Sequence, residues 1–241
     1  MSTAVDSFER IRSFWDERAR MFGADSRATL RETHLRDVEL RAMMRKIRQL
    51  APLRVLDVGC GNGWSTRQYA QAFPHTQFVG MDFSEEMIRH ARYTNIRNLK
   101  FAVGNVLDPA TLPRGSFDLV ITQRCLQNLP DWETQKRALN HLREVRSPHG
   151  RIMLMECSKD GVAQLNALRV EMGLEPLADI EPWHNCFMRD AQLIREYGAN
   201  VEYFSSTYMF LAKVVHKKLS YVARYLPALG KFGYDRLYVL E

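Results

Sequence analysis

The 241-residue chain lacks any run of about 18 consecutive apolar residues, so no membrane-spanning helix is expected. Its first ten residues, Met-Ser-Thr-Ala-Val-Asp-Ser-Phe-Glu-Arg, lack the apolar core of a secretory leader. Cysteine is sparse. Cys60, Cys125, Cys157 and Cys186 form no C-x-x-C pair, which argues against a disulfide frame and a zinc site and suggests reduced thiols in a cytoplasmic protein. No cluster with metal-ligand spacing stands out, so no metal is expected. Gly-Lys-Ser and Gly-Lys-Thr are both missing, which removes the P-loop. Acidic residues are missing from one long stretch. Between Tyr203 and Tyr234 stand Lys213, Lys217, Lys218, Arg224 and Lys231 and no Asp or Glu, so most of the net charge of +6 sits there. Nucleic acid, an anionic lipid surface and an anionic substrate all remain candidate partners for such a stretch. The remainder, 46% hydrophobic and 26% charged, is ordinary for a globular domain.

The most informative stretch runs from Arg54 to Thr66. Val55 to Val58 is a short apolar run suited to a buried parallel strand. Gly59, Gly61 and Gly63 follow at alternate positions, and a helical segment with Tyr69, Ala70 and Phe73 comes next. A glycine turn between strand and helix brings a ligand close to the backbone and aims the helix N-terminus at it. A dinucleotide fingerprint needs G-x-G-x-x-G, but Trp64 occupies the position of the last glycine. Asp57 stands two residues before Gly59, where a carboxylate suits a ligand carrying an ammonium group better than a pyrophosphate. Asp82, after the next strand, lies 19 residues beyond Gly63, in the range for a carboxylate that accepts ribose hydroxyls.

Val-Leu-Asp-Val-Gly-Cys-Gly-Asn-Gly, residues 55–63, resembles motif I of the class I S-adenosylmethionine-dependent methyltransferases. Specific motifs extend the resemblance over about residues 53–157. It implies a Rossmann-like α/β fold: a seven-stranded, mostly parallel sheet with an antiparallel last strand, helices on both faces and an N-terminal helical lid. It implies S-adenosyl-L-methionine as cofactor, held by Asp57, Gly59, Cys60, Gly61, Gly63, Asp82, Phe83, Asn105, Val106 and Gln123. The family usually has Asp where Asn105 stands. The Asn oxygen still accepts a hydrogen bond from an adenine amino group, and the Val106 amide serves the ring nitrogen.

The order of elements follows strand–helix alternation, which predicts a parallel sheet covered on both faces. Residues 1–50 are expected to be a helical lid, with helices near Phe8–Phe22 and Ala28–Leu50, and residues 51–241 the cofactor-binding domain. Ser84 and Asp131 are expected to cap helices. Leu53–Val58, Gln77–Asp82, Leu99–Val103, Phe117–Thr122, Arg151–Glu156, Asn200–Ser206 and Asp235–Leu240 are the expected strands. An insertion at the pocket mouth is expected near 158–188, and one basic amphipathic helix over Tyr208–Tyr225.

For methyl transfer to an alcohol a base is needed. His184 in the insertion is one candidate and Glu156, at a strand end, the other. Arg124 is a candidate fork for an acceptor carboxylate or phosphate, with Trp183 and Asn185 beside His184 as further acceptor contacts. The expected function is O- or N-methylation of a small molecule: a sugar, lipid-linked sugar or secondary metabolite. The alternative is an RNA methyltransferase, favoured by basic charge and disfavoured by the lack of an RNA-binding motif. Peripheral contact of the basic segment with an anionic membrane surface is one expectation and a plain solvated face the other. The sequence carries no signal of oligomeric state.

Overall fold

The computed structural model describes residues 4–178 and 181–241; residues 1–3 of the expected lid and 179–180 of the expected insertion lie outside the described residues. Two helices come first, α1 (Ala4–Phe22) and α2 (Thr33–Leu50). The alternating core follows as β1 (Arg54–Val58), α3 (Trp64–Ala72), β2 (Gln77–Asp82), α4 (Glu85–Ala91), β3 (Leu99–Val103), β4 (Phe117–Gln123), α5 (Trp132–Val145) and β5 (Arg146–Cys157). The chain then runs through α6 (Lys159–Glu171), α7 (Asp190–Tyr197), β6 (Asn200–Glu202), two single turns α8 (Ser206–Met209) and α9 (Ser220–Ala223), and β7 (Asp235–Leu240).

The seven strands form one sheet in the order β3-β2-β1-β4-β5-β7-β6. β1 pairs parallel with both β2 and β4, so the strand order reverses between β1 and β4. β7 lies antiparallel between β5 and β6. The expected architecture holds. Successive β1 residues point to opposite faces: Val55 joins the cluster with Leu35, Met43 and Ile47 of α2, whereas Leu56 joins Leu139 and Leu142 of α5. Both faces are therefore dry, which is why these strands read as continuous apolar runs.

Helix starts follow local chemistry. The Ser84 hydroxyl accepts from the Met87 N–H, with Glu85 and Glu86 in the first turn, and Asp131 accepts from the Thr134 N–H at 2.7 Å. Boundaries differ elsewhere. α2 starts at Thr33, because Asp25 caps a separate 3-10 turn, Ser26–Ala28. β5 starts at Arg146, with residues 147–150 bulging opposite Asp118. β6 is shorter than expected.

The larger correction concerns Tyr208–Tyr225, which is not one helix. α8 gives way to a π turn over Phe210–Val215, then to a 3-10 turn over Lys217–Leu219, then to α9. His216 breaks the path: its backbone is extended, and its ring nitrogen accepts from the Lys218 N–H instead of leaving that group to a helix.

Candidate functional site

A cleft open to solvent lies at the C-terminal ends of β1, β2 and β4, where the strand order reverses. This is where an open α/β sheet offers its ligand crevice. The glycine turn forms its floor. Gly59 and Gly61 have φ of 75° and 57°, a region that side chains with a Cβ rarely adopt. A Cβ on Gly59 would sit 2.5 Å from Cys125 Sγ, and one on Gly61 2.5 Å from Thr29 Cγ2. The turn thus needs glycine partly because protein packs over it, from the segment after β4 and from the link between α1 and α2. Asn62 reinforces that link: its side-chain amide donates to the Gly23 and Asp25 carbonyls, each at 2.8 Å.

Two buried carboxylates face the cleft from adjacent strand ends. Asp57 accepts from the Thr66 hydroxyl at 2.6 Å, and burial pushes its carboxyl up to about 7. Asp82 accepts from the Gly61 and Ser84 N–H groups at 2.8 and 2.9 Å, and burial pushes it up to about 6. An ammonium and a pair of hydroxyls match such acids, which otherwise carry the cost of an exposed-type charge in a dry site. Phe83 follows, its ring 5.5 Å from Phe8 of α1. Cys60, Asn105, Val106 and Gln123 also line the cleft. Asn105 already accepts from the Leu107 N–H at 2.9 Å, leaving its oxygen one further lone pair. Gly63 caps α3 behind the turn and does not line the cleft.

Sequence reasoning expected helices over the pocket from residues 1–50 but did not single out the side chains they bring to the cleft. Phe8, Ile11 and Trp15 of α1 and Arg36 of α2 line the cleft. Arg36 is 4% exposed and donates to the Thr29 hydroxyl at 2.8 Å, while its Nε has no partner. Glu39, fully buried, accepts from Gln123 Nε2 and Arg124 Nε, both at 2.9 Å. The signal was present: Arg36 and Glu39 fall at i, i+3 among Leu35, Val38, Ala42 and Met43, on the stripe that the helical period marks as inward.

The acceptor-side expectations fare unevenly. Arg124 lines the cleft but is already held by two carboxylates, Glu39 and Asp235. Burial opposes its charge and the two acids more than offset this, holding its pKa well up. The structure therefore corrects its reading as a free fork for an acceptor anion. Glu156 is also corrected. It lies outside the cleft lining, fully buried, and accepts from the Thr122 hydroxyl at 2.7 Å and from the N–H groups of Cys125, Leu126 and Gln127 at 3.1–3.2 Å. Three of these donors reach Oε1 and one Oε2, and three of the four come from one loop, so Glu156 braces the segment after β4.

His184 stacks on Phe14 at 4.4 Å and meets Trp15 and Trp183 edge-on. It is thus one side chain behind the cleft, since Trp15 lines it. Its Nδ1 is buried without a partner, and burial first, then Arg18, lowers its pKa. Trp183 is half exposed beneath Arg10, whose guanidinium lies 4.2 Å above the ring. Asn185 Oδ1 is buried and unpartnered. The insertion is sewn to the segment after β4, because Gln135 Nε2 donates to both Leu126 O and Cys186 O. In that segment Asn128 donates through Nδ2 to the Arg124 and Cys125 carbonyls, leaving its own oxygen buried without a partner. No group of three metal-ligating side chains occurs among the described residues.

A family described as methyltransferase domain matches residues 55–150. Trans-aconitate 2-methyltransferase of Deinococcus radiodurans is 37% identical over 113 residues, 45% of this chain and 41% of that protein. Malonyl-[acyl-carrier protein] O-methyltransferase of Legionella pneumophila is 29% identical over 120 residues, 48% of this chain and 40% of that protein. The chain thus spans about two fifths of the length of these curated relatives. The crystal structure of magnesium protoporphyrin IX methyltransferase from Synechocystis PCC 6803 with bound SAH superposes over 96% of this chain and 97% of its own, at TM-score 0.61 and 17% identity, a likeness of fold.

Proposed function

We propose, from the premise that residues 55–150 belong to the class I S-adenosylmethionine-dependent methyltransferases, that the chain transfers a methyl group to a hydroxyl or amine of a small molecule. The observation that carries the cofactor half is the pair Asp57 and Asp82, two buried acids on one cleft at the reversal of strand order. S-Adenosylmethionine, when bound, supplies a methyl group on a sulfonium that a nucleophile displaces in line. The chain's own part is to bind, orient and exclude water. Asp57 is assigned to the ammonium, Asp82 to the ribose hydroxyls, Asn105 and the Val106 amide to the adenine edge, and Phe83 to its face. Arg36 is assigned to the carboxylate, because it is the cleft's cation left with an unpartnered nitrogen. Gly59, Cys60 and Gly61 supply the backbone floor. Gln123 and Tyr69 lock Glu39 and the β4 end in place.

For the acceptor, the supporting observation is the unpartnered Asn128 oxygen on the cleft. Its amide nitrogen is fixed by two carbonyls, so the oxygen is left in need of a donor, which an acceptor O–H or N–H would supply. With Arg124 neutralised by Glu39 and Asp235, an uncharged polyol or amine fits this end better than a carboxylate. Here the reading parts from the carboxylate acceptors in the relatives' names. A sugar, free or lipid-linked, or a hydroxylated secondary metabolite meets the requirement. The relatives' names give no support to RNA as acceptor. His184, neutral through burial, is the assigned proton acceptor for an alcohol, reached through movement of Trp15. Positioning of this kind contributes up to roughly 7–11 kcal/mol to a displacement. The test is a calorimetric titration with S-adenosylhomocysteine and NAD, followed by methyl transfer from labelled cofactor to panels of amino sugars, polyols and carboxylic acids. Tight NAD binding would defeat the cofactor reading. Transfer to carboxylic acids alone would defeat the acceptor reading.

A further inference from the structure

The stretch between β6 and β7 carries five cations and no acid. Of its five cations, Lys213 pairs with Glu32 and Arg224 with Asp37. Lys217, Lys218 and Lys231 are exposed and make no ion pair among the described residues. Apolar side chains stand out beside them. Six of the seventeen exposed large apolar residues among the described residues fall within 215–229: Val215, Tyr221, Val222, Tyr225, Leu226 and Leu229, the last 71% exposed. Singly exposed apolar residues are normal, but six within residues 215–229, interspersed with lysines, are a concentration that a solvated turn does not need.

The backbone explains how they came to be outside. A continuous helix would have turned one stripe inward. The extended His216 and the end of α9 at Ala223 instead divide the stretch into single turns, with Val214 and Ala223 as the inward anchors. The anchoring is firm: Arg224 donates to Asp37 at 2.8 Å and reaches the His34 ring at 3.0 Å, both on α2.

We propose that residues 215–231 are a docking face for an anionic lipid surface. Unpaired lysines beside tyrosine and aliphatic side chains, with no acid among them, match a headgroup layer over acyl chains. A nucleic acid would engage the lysines and leave six apolar side chains uncovered. The face is tied to α2, the helix whose Arg36 lines the cleft. The inference does not depend on the methyl-transfer reading.

The experiment is flotation of the full chain with vesicles of phosphatidylcholine, with or without phosphatidylglycerol, at low salt. Binding is expected only where phosphatidylglycerol is present. Each lysine near an anionic surface contributes roughly 5-fold, so the double variant K217E/K218E should bind on the order of 10²-fold more weakly. Y225S/L229S should bind about 10-fold more weakly, by loss of apolar insertion. These side chains are exposed, so both variants should keep the wild-type melting temperature. No binding, equal binding to neutral and anionic vesicles, or anionic binding that survives both double variants would overturn the proposal. So would transfer RNA binding lost in the lysine variant alone while vesicles fail to bind.

Discussion

The two ends of the cleft are built in different ways. At the cofactor end, Asp57 and Asp82 stand in the last residues of β1 and β2, placed by the sheet register, and the glycine turn begins, and Asn105 stands, within two residues of the ends of β1 and β3. At the acceptor end, Trp15, Asn128 and His184 come from α1, the segment after β4 and the insertion, and they meet only through tertiary contacts. Backbone sets the first end and side chains the second. The first is therefore rigid and readable, whereas the second can be altered by one substitution without disturbing the sheet.

The largest effect should fall on the side-chain end. His184→Ala is expected to lower turnover by about 10²–10⁴-fold on an alcohol acceptor, with S-adenosylhomocysteine affinity unchanged. An unchanged rate would indicate an amine acceptor that needs no base. At the backbone end, Asp82→Ala should weaken S-adenosylhomocysteine binding by about 10²-fold, because hydrogen bonds to a charged group contribute roughly 1.5–3 kcal/mol each. Calorimetry on the folded variant measures this, and undiminished affinity would remove Asp82 from the ribose. Arg36→Met, which keeps the length and removes the charge, should cost about 10-fold in the same titration. An equal loss for a ligand lacking the carboxylate would show that Arg36 acts on the wall instead.

The contrast explains what could be read from the chain. Residues 55–63 and Asp82 announce themselves because strand, turn and acid are contiguous or at fixed spacing. Arg36 and Glu39 were legible only as charges on an apolar stripe, easily read as solvated residues of an amphipathic helix. Glu156 looked like a base from its strand-end position. That it faces three backbone N–H groups of the next loop is a matter of three-dimensional packing, which spacing does not encode. The break at His216 was hidden for a similar reason: Tyr208–Tyr225 has helical periodicity, but a local histidine–backbone bond prevails over it.

The smallest expected effect is one of pH. Asp57 and Asp82 have carboxyls raised by burial to about 7 and about 6. A raised acid adds stability that is fully present below its unfolded pKa, near 4, and is lost as pH rises through the folded value. The melting temperature of the free protein should thus decline between about pH 4 and 7. Ligand donors favour the ionised forms, so S-adenosylhomocysteine affinity should rise from about pH 5.5 to 7.5 and then level off. A flat profile would mean that the acids are already ionised in the free cleft.

Arg124 ties one of the two N-terminal helices to the sheet. With φ of 56°, it holds an uncommon backbone conformation for a residue bearing a side chain, and its guanidinium joins Glu39 of α2 to Asp235 of β7. Removing one partner of such a buried pair costs about 3–5 kcal/mol. α2 is accordingly bolted to the far side of the sheet. α1 meets the cleft through Phe8, Ile11 and Trp15, and its polar ties run from Asp16 to Ser84 and from Arg18 to the Arg27 and Ala28 carbonyls. The two N-terminal helices are therefore held differently, α2 by a buried ion pair that reaches β7 and α1 by ties to the start of α4 and to the link between the two helices.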